Sequence, residues 1–226
     1  MGGKPLNAPI VAMAKSSDGR GYWQVASDGG VFSYGDATFY GSMGGKPLNA
    51  PIVGFAPTPD GRGYWEVASD GGIFSFGDAA FHGSRGGQPL NRAIVGMATD
   101  ATGLGYWEVA ADGGIFSYGD AAFHGSAGSL PLLRPVVGIA ATPDGGGYWL
   151  VASDGGVFTY GDASFQGSMG GAPLVSSVVG IAATTTGAGY WLTASDGGVF
   201  NFGDAGFFGS MGGQPLNASV VGGAAA

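Results

Sequence analysis

Short apolar segments alternate with glycine-rich turns along the whole chain, and this pattern recurs every 42 residues. In the second repeat the apolar segments lie at 52–56, 64–69 and 73–76, with a shorter one at 80–82. β-Branched and aromatic residues bounded by Gly, Pro and Asp are typical of strands. The longest run without Gly or Pro is Ile10–Asp18, which is shorter than most amphipathic helices. We therefore predict an all-β chain with four short strands in each repeat.

The repeat is most regular in the segment GYWEVASDGGIFSFGDAAFHGS at 63–84, of which the chain carries five copies. Four strands in about 40–45 residues is the size of a propeller blade. The sequence therefore predicts a single domain over 1–226, a five-bladed β-propeller of four-stranded antiparallel blades. The alternative is part of a larger ring, or a ring that an oligomer completes. The repeats run at about 10–51, 52–93, 94–135, 136–177 and 178–219, and 211–226 duplicates 1–16.

The two ends of the chain carry related strand sequences, PIVAMA at 9–14 and SVVGGA at 219–224. A closed ring of five blades has one position for this strand. We therefore expect one copy to be displaced, to lie on the surface, or to join an oligomer through the duplicated strand. Met1 aligns with methionines inside the repeat, such as Met43, and this indicates a piece excised from a longer chain.

The acidic residues belong mainly to turns. Ten of the fourteen Asp lie in the repeated SDGG and GDA segments, where Asp favours turn geometry. In SDGG the Asp-Gly pair predicts a type I′ hairpin turn. The net charge of −8 follows from this turn chemistry, and the chain lacks the clustered Lys and Arg that nucleic acid requires. We expect no nucleic-acid partner.

Composition excludes two further classes of site. The chain has no cysteine, so it has neither a disulfide framework nor a thiolate metal site. No apolar run approaches the roughly 18 residues of a membrane-spanning helix. We expect no metal, no cofactor and no membrane span.

The strands expected at the centre of the ring carry no catalytic side chain. They contain Val, Ile, Gly, Ala, Met and Phe, so a pocket there would lack a general acid and base. We therefore predict that the protein is not an enzyme. These strands are expected at 10–14, 52–56, 94–98, 136–140 and 178–182.

The enzyme alternative depends on Glu66 and Glu108, the only two glutamates, which occupy equivalent positions in adjacent repeats. Paired carboxylates are the chemistry of glycosidases. We favour a half-exposed structural position instead, because equivalent sites on neighbouring blades lie too far apart for such a pair. The other repeats carry Gln24, Leu150 and Leu192 at this position.

The consensus GYWxVASDGGxFxxGDAxFxGSxGGxPLN resembles tandem repeats attached to secreted bacterial cell-wall and surface proteins, and the resemblance covers the whole chain. It implies an extracellular or cell-surface location, with the targeting segment outside these residues. Five blades of this size are also similar in architecture to tachylectin-type lectins, which hold one sugar site per blade. These likenesses imply a carbohydrate or a cell-wall polymer as partner.

Two positions in each repeat are candidates for carbohydrate binding. Sugars need planar surface together with amide hydrogen bonds, and weak sites gain affinity by multivalency. The alternative is a structural scaffold without a small ligand. We expect the tryptophans to be core residues, and two histidines are too few for a metal site. The candidates are the outer-strand residues Tyr40, His82, His124 and Gln166 and the connector residues Asn7, Asn49, Asn91 and Asn217.

Overall fold

The computed structural model describes residues 5–224, which form fifteen β-strands and no helix. The predicted all-β class is confirmed. In chain order the strands are β1 (Ile10–Lys15), β2 (Tyr22–Ala26), β3 (Val31–Tyr34), β4 (Ile52–Pro57), β5 (Gly63–Ala68), β6 (Ile73–Gly77), β7 (Ile94–Thr99), β8 (Gly105–Ala110), β9 (Ile115–Gly119), β10 (Val136–Ala141), β11 (Gly147–Ala152), β12 (Val157–Gly161), β13 (Val178–Ala183), β14 (Gly189–Ala194) and β15 (Val199–Gly203).

Each repeat forms one three-stranded antiparallel sheet from three consecutive strands, and there are five such sheets in residues 5–224. The predicted fourth strand at 80–82 is wrong, because these residues join no sheet. Their backbone is held by the next repeat instead. The backbone N–H of His82 donates to the hydroxyl of Tyr106 at 3.1 Å.

The SDGG segment closes the hairpin between the second and third strands of each sheet, as predicted, but the type I′ geometry is wrong. Only glycines have positive φ in residues 5–224, and within the SDGG segment of the second repeat this is Gly71 at φ 79°. The N–H of Gly71 donates to the carbonyl of Ala68 at 2.9 Å. The hairpin is therefore a type I turn followed by a left-handed glycine. The carboxylate of Asp70 accepts the Gly72 N–H at 3.0 Å, which confirms its role in the turn.

The sheets stack in series through their first strands, since β1 contacts β4, β4 contacts β7, β7 contacts β10 and β10 contacts β13. Glycines allow this close approach. A Cβ placed on Gly54 would lie 3.2 Å from the Cα of Gly96. The first strands of all five sheets line a common cavity of about 150 Å³. Among the described strands β13 makes no comparable contact with β1, so the series is not closed.

Residues 219–224 continue the series beyond the fifth sheet. The N–H of Val220 donates to the carbonyl of Ser195 at 2.9 Å, as Val178 does to Ser153 one repeat earlier. Residues 221–223 line the same cavity as the first strands, although they form no strand. The first copy thus forms β1 within a sheet, whereas the last copy forms no strand and lies largely on the surface, which is one of the expected arrangements. In this open series β1 and residues 219–224 lie at opposite ends.

The hydrophobic core lies between the sheets. Four clusters of buried residues each join the middle strand of one sheet to the middle strand of the next. On β5, Trp65 and Val67 belong to the cluster shared with the third sheet, whereas Tyr64 and Ala68 belong to the cluster shared with the first. Successive side chains of a strand point to opposite faces. Both faces of an internal sheet are therefore buried.

Candidate functional site

One set of contacts, which we call the joint, connects each sheet to the next. In the joint between the second and third sheets, Trp65 and Tyr106 are both completely buried, with ring centroids 5.6 Å apart. The indole N–H of Trp65 donates to the carbonyl of Ala80 at 2.8 Å. The hydroxyl of Tyr106 donates to the carbonyl of Gly83 at 2.6 Å and accepts the His82 N–H. The tyrosine thus holds the segment that follows the third strand of the preceding repeat.

The same joint occurs four times in the series. Each tyrosine hydroxyl donates to a glycine carbonyl at 2.5–2.6 Å. Each of these glycines also presses against the aromatic ring that ends the third strand of the next sheet. The four tyrosine–glycine pairs are Tyr64 and Gly41, Tyr106 and Gly83, Tyr148 and Gly125, and Tyr190 and Gly167.

The predicted outer-strand sugar residues lie in these joints. Tyr40, His82, His124 and Gln166 are half-buried beside the tyrosine of the next sheet. The Tyr40 hydroxyl donates to the carbonyl of Gly61 at 3.2 Å. One ring nitrogen of His124, Nε2, lies 3.2 Å from the carbonyl of Gly145. The rings therefore pack against the protein and present little open aromatic surface to a ligand.

The predicted connector residues are placed differently. Asn7, Asn49, Asn91 and Asn217 are all exposed. Within residues 5–224 no hydrogen bond links any of these asparagines to an outer-strand candidate. The two halves of the predicted sugar site are thus not brought together by hydrogen bonding.

The tryptophans confirm their predicted core role at four of five positions. Trp23, Trp65, Trp107 and Trp149 are no more than 1% exposed. Trp191, in the fifth sheet, is only half-buried, because no further sheet packs against it. Its indole N–H still donates to its own repeat, at the carbonyl of Gly206.

The prediction of a half-exposed position for Glu66 is wrong, since this residue is completely buried. Glu66 lies on the same face of β5 as Tyr64 and points toward Gly29 and Met43 of the first repeat. Its carboxyl oxygens have no hydrogen-bond partner within residues 5–224. Burial raises the pKa of Glu66 to about 8, and the nearby Met43 amide and Lys46 ammonium offset only part of this shift. Glu66 is therefore mainly protonated at neutral pH.

Glu108 repeats this arrangement one joint further along. It is completely buried, and burial raises its pKa to about 8, partly offset by the nearby amide and guanidinium of Arg85. The guanidinium itself lies 4.8 Å from the ring centroid of Phe116 and donates to Gln88. Because Glu66 and Glu108 occupy different joints and face different repeats, they do not form one carboxylate pair. The sequence feature that could have indicated this burial is the leucine, Leu150 or Leu192, at the equivalent position of the last two repeats.

Two cavities that sequence reasoning missed lie beside the third and fourth connectors. One of about 470 Å³ is lined by Arg92, Asp112, Leu130, Leu133 and Arg134, among others. Its neighbour of about 540 Å³ shares Arg134. Ligand sites commonly have such volumes and combine apolar walls with a few polar groups. The sequence feature that could have indicated these cavities is the third connector. It reads AGSLPLLRP at 127–135, whereas the first connector reads MGGKPLNAP at 43–51.

No group of three or more His, Asp or Glu in residues 5–224 is arranged to hold a metal ion. The same residues contain no helix long and apolar enough to cross a membrane. No protein-family model matches the chain, and no curated protein is significantly similar to it in sequence. Function must therefore be argued from the geometry of the repeats.

Proposed function

We propose that this chain is a non-catalytic scaffold module, a series of propeller-type blades that presents its connectors at regular intervals. The observation that carries the proposal is the joint, which recurs four times and uses the tryptophan, the tyrosine and the outer-strand residue of each internal repeat. The side chains best suited to chemistry or ligand stacking are therefore used to hold neighbouring sheets together. What remains accessible in each repeat is the connector.

The propeller interpretation is supported by the first strands, which line a common cavity, and by internal sheets that are buried on both faces. Radial packing of blades leaves only short, protected sheet edges. The non-catalytic interpretation is supported by the residues that line that cavity, because none of them has a side chain that could act as a general acid or base. It is also supported by the separation of Glu66 and Glu108 into different joints.

The second candidate function is weak multivalent binding of a carbohydrate polymer by the connectors, at the cell surface that the sequence resemblance implies. It is favoured by an exposed asparagine at the same position of four connectors and by the cavity of about 470 Å³ beside the third. In this second candidate function the side-chain amides of the connector asparagines contact the sugar directly. The outer-strand residues then act only by holding the joint that supports each connector.

Pull-down on insoluble peptidoglycan and chitin, followed by calorimetry with the matching oligosaccharide, distinguishes the two candidates. A pure scaffold binds neither polymer while circular dichroism shows it folded. A carbohydrate module binds with several ligands per chain and loses most of its affinity when Asn49 and Asn91 are both changed to Ala. The control is Arg62→Ala, an exposed residue in the turn between β4 and β5. Binding that is lost equally in the control contradicts a connector site.

A further inference from the structure

The segment that leads from the third strand of each sheet into the connector carries one exposed phenylalanine. Phe81 in the second repeat is 62% exposed, and the exposed fractions of its four counterparts range from 56% to 61%. Within residues 5–224 none of the five belongs to a core cluster or packs its ring on another aromatic ring. We call these residues the phenylalanine series: Phe39, Phe81, Phe123, Phe165 and Phe207.

The phenylalanine is the same in all five repeats although its neighbours vary. The residue before it is Thr, Ala, Ala, Ser or Gly, and the residue after it is Tyr, His, His, Gln or Phe. Other side chains common to the repeats have roles inside the chain, such as Trp65 in the joint and Asp70 in the hairpin turn. Single exposed apolar residues are normal on a protein surface. An exposed aromatic kept at one position of every repeat, between variable neighbours, indicates a contact made outside the chain.

The joint fixes the backbone on both sides of this phenylalanine. The carbonyl of Ala80, which precedes Phe81, accepts the indole N–H of Trp65 at 2.8 Å. The N–H of His82, which follows Phe81, donates to the hydroxyl of Tyr106 at 3.1 Å. Because two sheets hold the segment, little backbone freedom is lost when a ligand contacts the ring. The same pair of hydrogen bonds flanks three further members of the series, Phe39, Phe123 and Phe165.

Charge and shape narrow the class of ligand. An exposed aspartate precedes each phenylalanine by three residues, as Asp78 precedes Phe81, and the chain has a net charge of −8 with no Lys or Arg after Arg134. Anionic polymers and anionic lipid surfaces are attracted by clustered basic residues instead. A stable protein partner covers a continuous patch of about 800 Å², whereas the rings of the series do not touch one another. These observations favour a neutral ligand that binds each ring separately.

We propose that the phenylalanine series is the stacking surface of a site for a neutral polysaccharide, with a sugar ring on each phenylalanine. The C–H groups on one face of a sugar ring carry partial positive charge and meet the negative face of the aromatic ring. The proposal rests on the second candidate function, and it supplies the planar surface that the packed rings of Tyr40 and His82 do not present. Each contact is weak, and the repetition of the ring on every sheet provides affinity through avidity.

The first test measures binding isotherms on insoluble chitin and cellulose, which are both neutral polymers. Changing Phe81 and Phe123 to Ala together should weaken binding roughly ten-fold or more, because contacts that act together are removed. The matched control is Leu104→Ala, since this side chain is 53% exposed at a position that varies between repeats. The control should bind like the unmodified chain. Circular dichroism should be unchanged in both variants, because all three side chains lie outside the core clusters.

The second test distinguishes stacking from a general loss of apolar surface. A double variant that carries Phe81→Trp and Phe123→Trp keeps an aromatic face at both positions and should bind the polymer at least as tightly as the unmodified chain. A double variant that carries Phe81→Leu and Phe123→Leu keeps apolar side chains without an aromatic face and should bind like the alanine variant. A leucine variant that binds as well as the tryptophan variant would contradict stacking.

The outcomes separate this proposal from the function on which it rests. If the unmodified chain binds chitin or cellulose and the alanine variant binds equally well, the phenylalanine surface is overturned and the connector asparagines remain as the site. If the unmodified chain binds neither polymer, the proposal is overturned, and binding to peptidoglycan then decides whether the second candidate function survives. Phenylalanine-dependent binding to vesicles of phosphatidylglycerol, without binding to either polymer, would assign the series to a membrane surface and overturn the proposal.

Discussion

The first two joints of the series bury a glutamate where the last two bury a leucine. Glu66 and Glu108 are completely buried, and so are Leu150 and Leu192 at the same position. The register between the first and second strands is the same in these four repeats. One geometry therefore accepts both an apolar and an ionisable side chain.

The connectors also differ between the joints that bury a glutamate and the joints that bury a leucine. A basic residue, Lys46 or Arg85, lies near each glutamate. The connectors that face Leu150 and Leu192 carry no basic residue at the equivalent positions. Neither glutamate has a salt bridge in residues 5–224, so the nearby cation reduces the cost of burial without removing it. From this comparison we expect packing to provide the stability of the joint and the buried glutamates to lower it.

The largest expected effect is a dependence of stability on pH. The pKa of each glutamate is about 8 in the folded chain against an ordinary value of 4.5, so the unfolded state releases its protons first as pH rises. The contribution of the two glutamates to stability is therefore fully present below about pH 4.5, is lost as the pH rises toward 8, and then levels off. Each carboxyl contributes a slope of up to about 1.4 kcal/mol per pH unit. Denaturant titrations at several pH values measure this slope, with the Glu66→Leu, Glu108→Leu double variant as the flat control.

The next effect tests whether packing dominates every joint. Trp107→Ala removes a completely buried ring and should cost about 3–5 kcal/mol of unfolding free energy. Trp65→Ala, in a joint that contains Glu108, should cost about the same. Trp191→Ala should cost clearly less, because Trp191 is only half-buried. Equal losses of unfolding free energy at Trp107 and Trp191 would contradict the expectation that a half-buried tryptophan contributes less to stability than a buried one.

Replacing each glutamate by the leucine of the later joints should stabilise the chain. Substituting buried ionic groups by apolar residues of similar volume gains about 1–4 kcal/mol in favourable cases. We expect Glu108→Leu to raise the unfolding free energy at pH 8 within this range, and to raise it less at pH 5. The reciprocal change Leu150→Glu should destabilise, since the connector it faces has no basic residue at the positions equivalent to Lys46 and Arg85. A destabilising Glu108→Leu would instead assign the glutamate a stabilising role.

The smallest effect separates internal from terminal tyrosines. Tyr64→Phe removes the hydroxyl bonds to Gly41 and Tyr40 and should cost about 1–2 kcal/mol. Tyr22→Phe should leave stability unchanged in dilute solution, because its hydroxyl has no partner within residues 5–224. Thermal unfolding of the two variants side by side measures the difference. A loss of stability for Tyr22→Phe comparable with that for Tyr64→Phe would mean that the Tyr22 hydroxyl also makes hydrogen bonds.

The local sequence determined the repeat length, the all-β class and the positions of three strands in each repeat. These depend on short-range chemistry, because glycine supplies positive φ and Asp caps the following N–H, as Asp70 does for Gly72. The core role of Trp65 also followed from the sequence, since a strand that is apolar on both faces is buried between neighbours.

The tertiary structure alone decided the rest. The segment at 80–82 has the composition of a strand, but the next repeat's Tyr106 takes its backbone hydrogen bond. Glu66 looks like a surface residue in its own strand, and only the preceding sheet buries it. The series is open at Tyr22 and Phe208 because closure depends on how each sheet is rotated against the next. That rotation depends on contacts between neighbouring repeats, such as Tyr106 with Gly83 and Gly54 with Gly96, which no local pattern encodes.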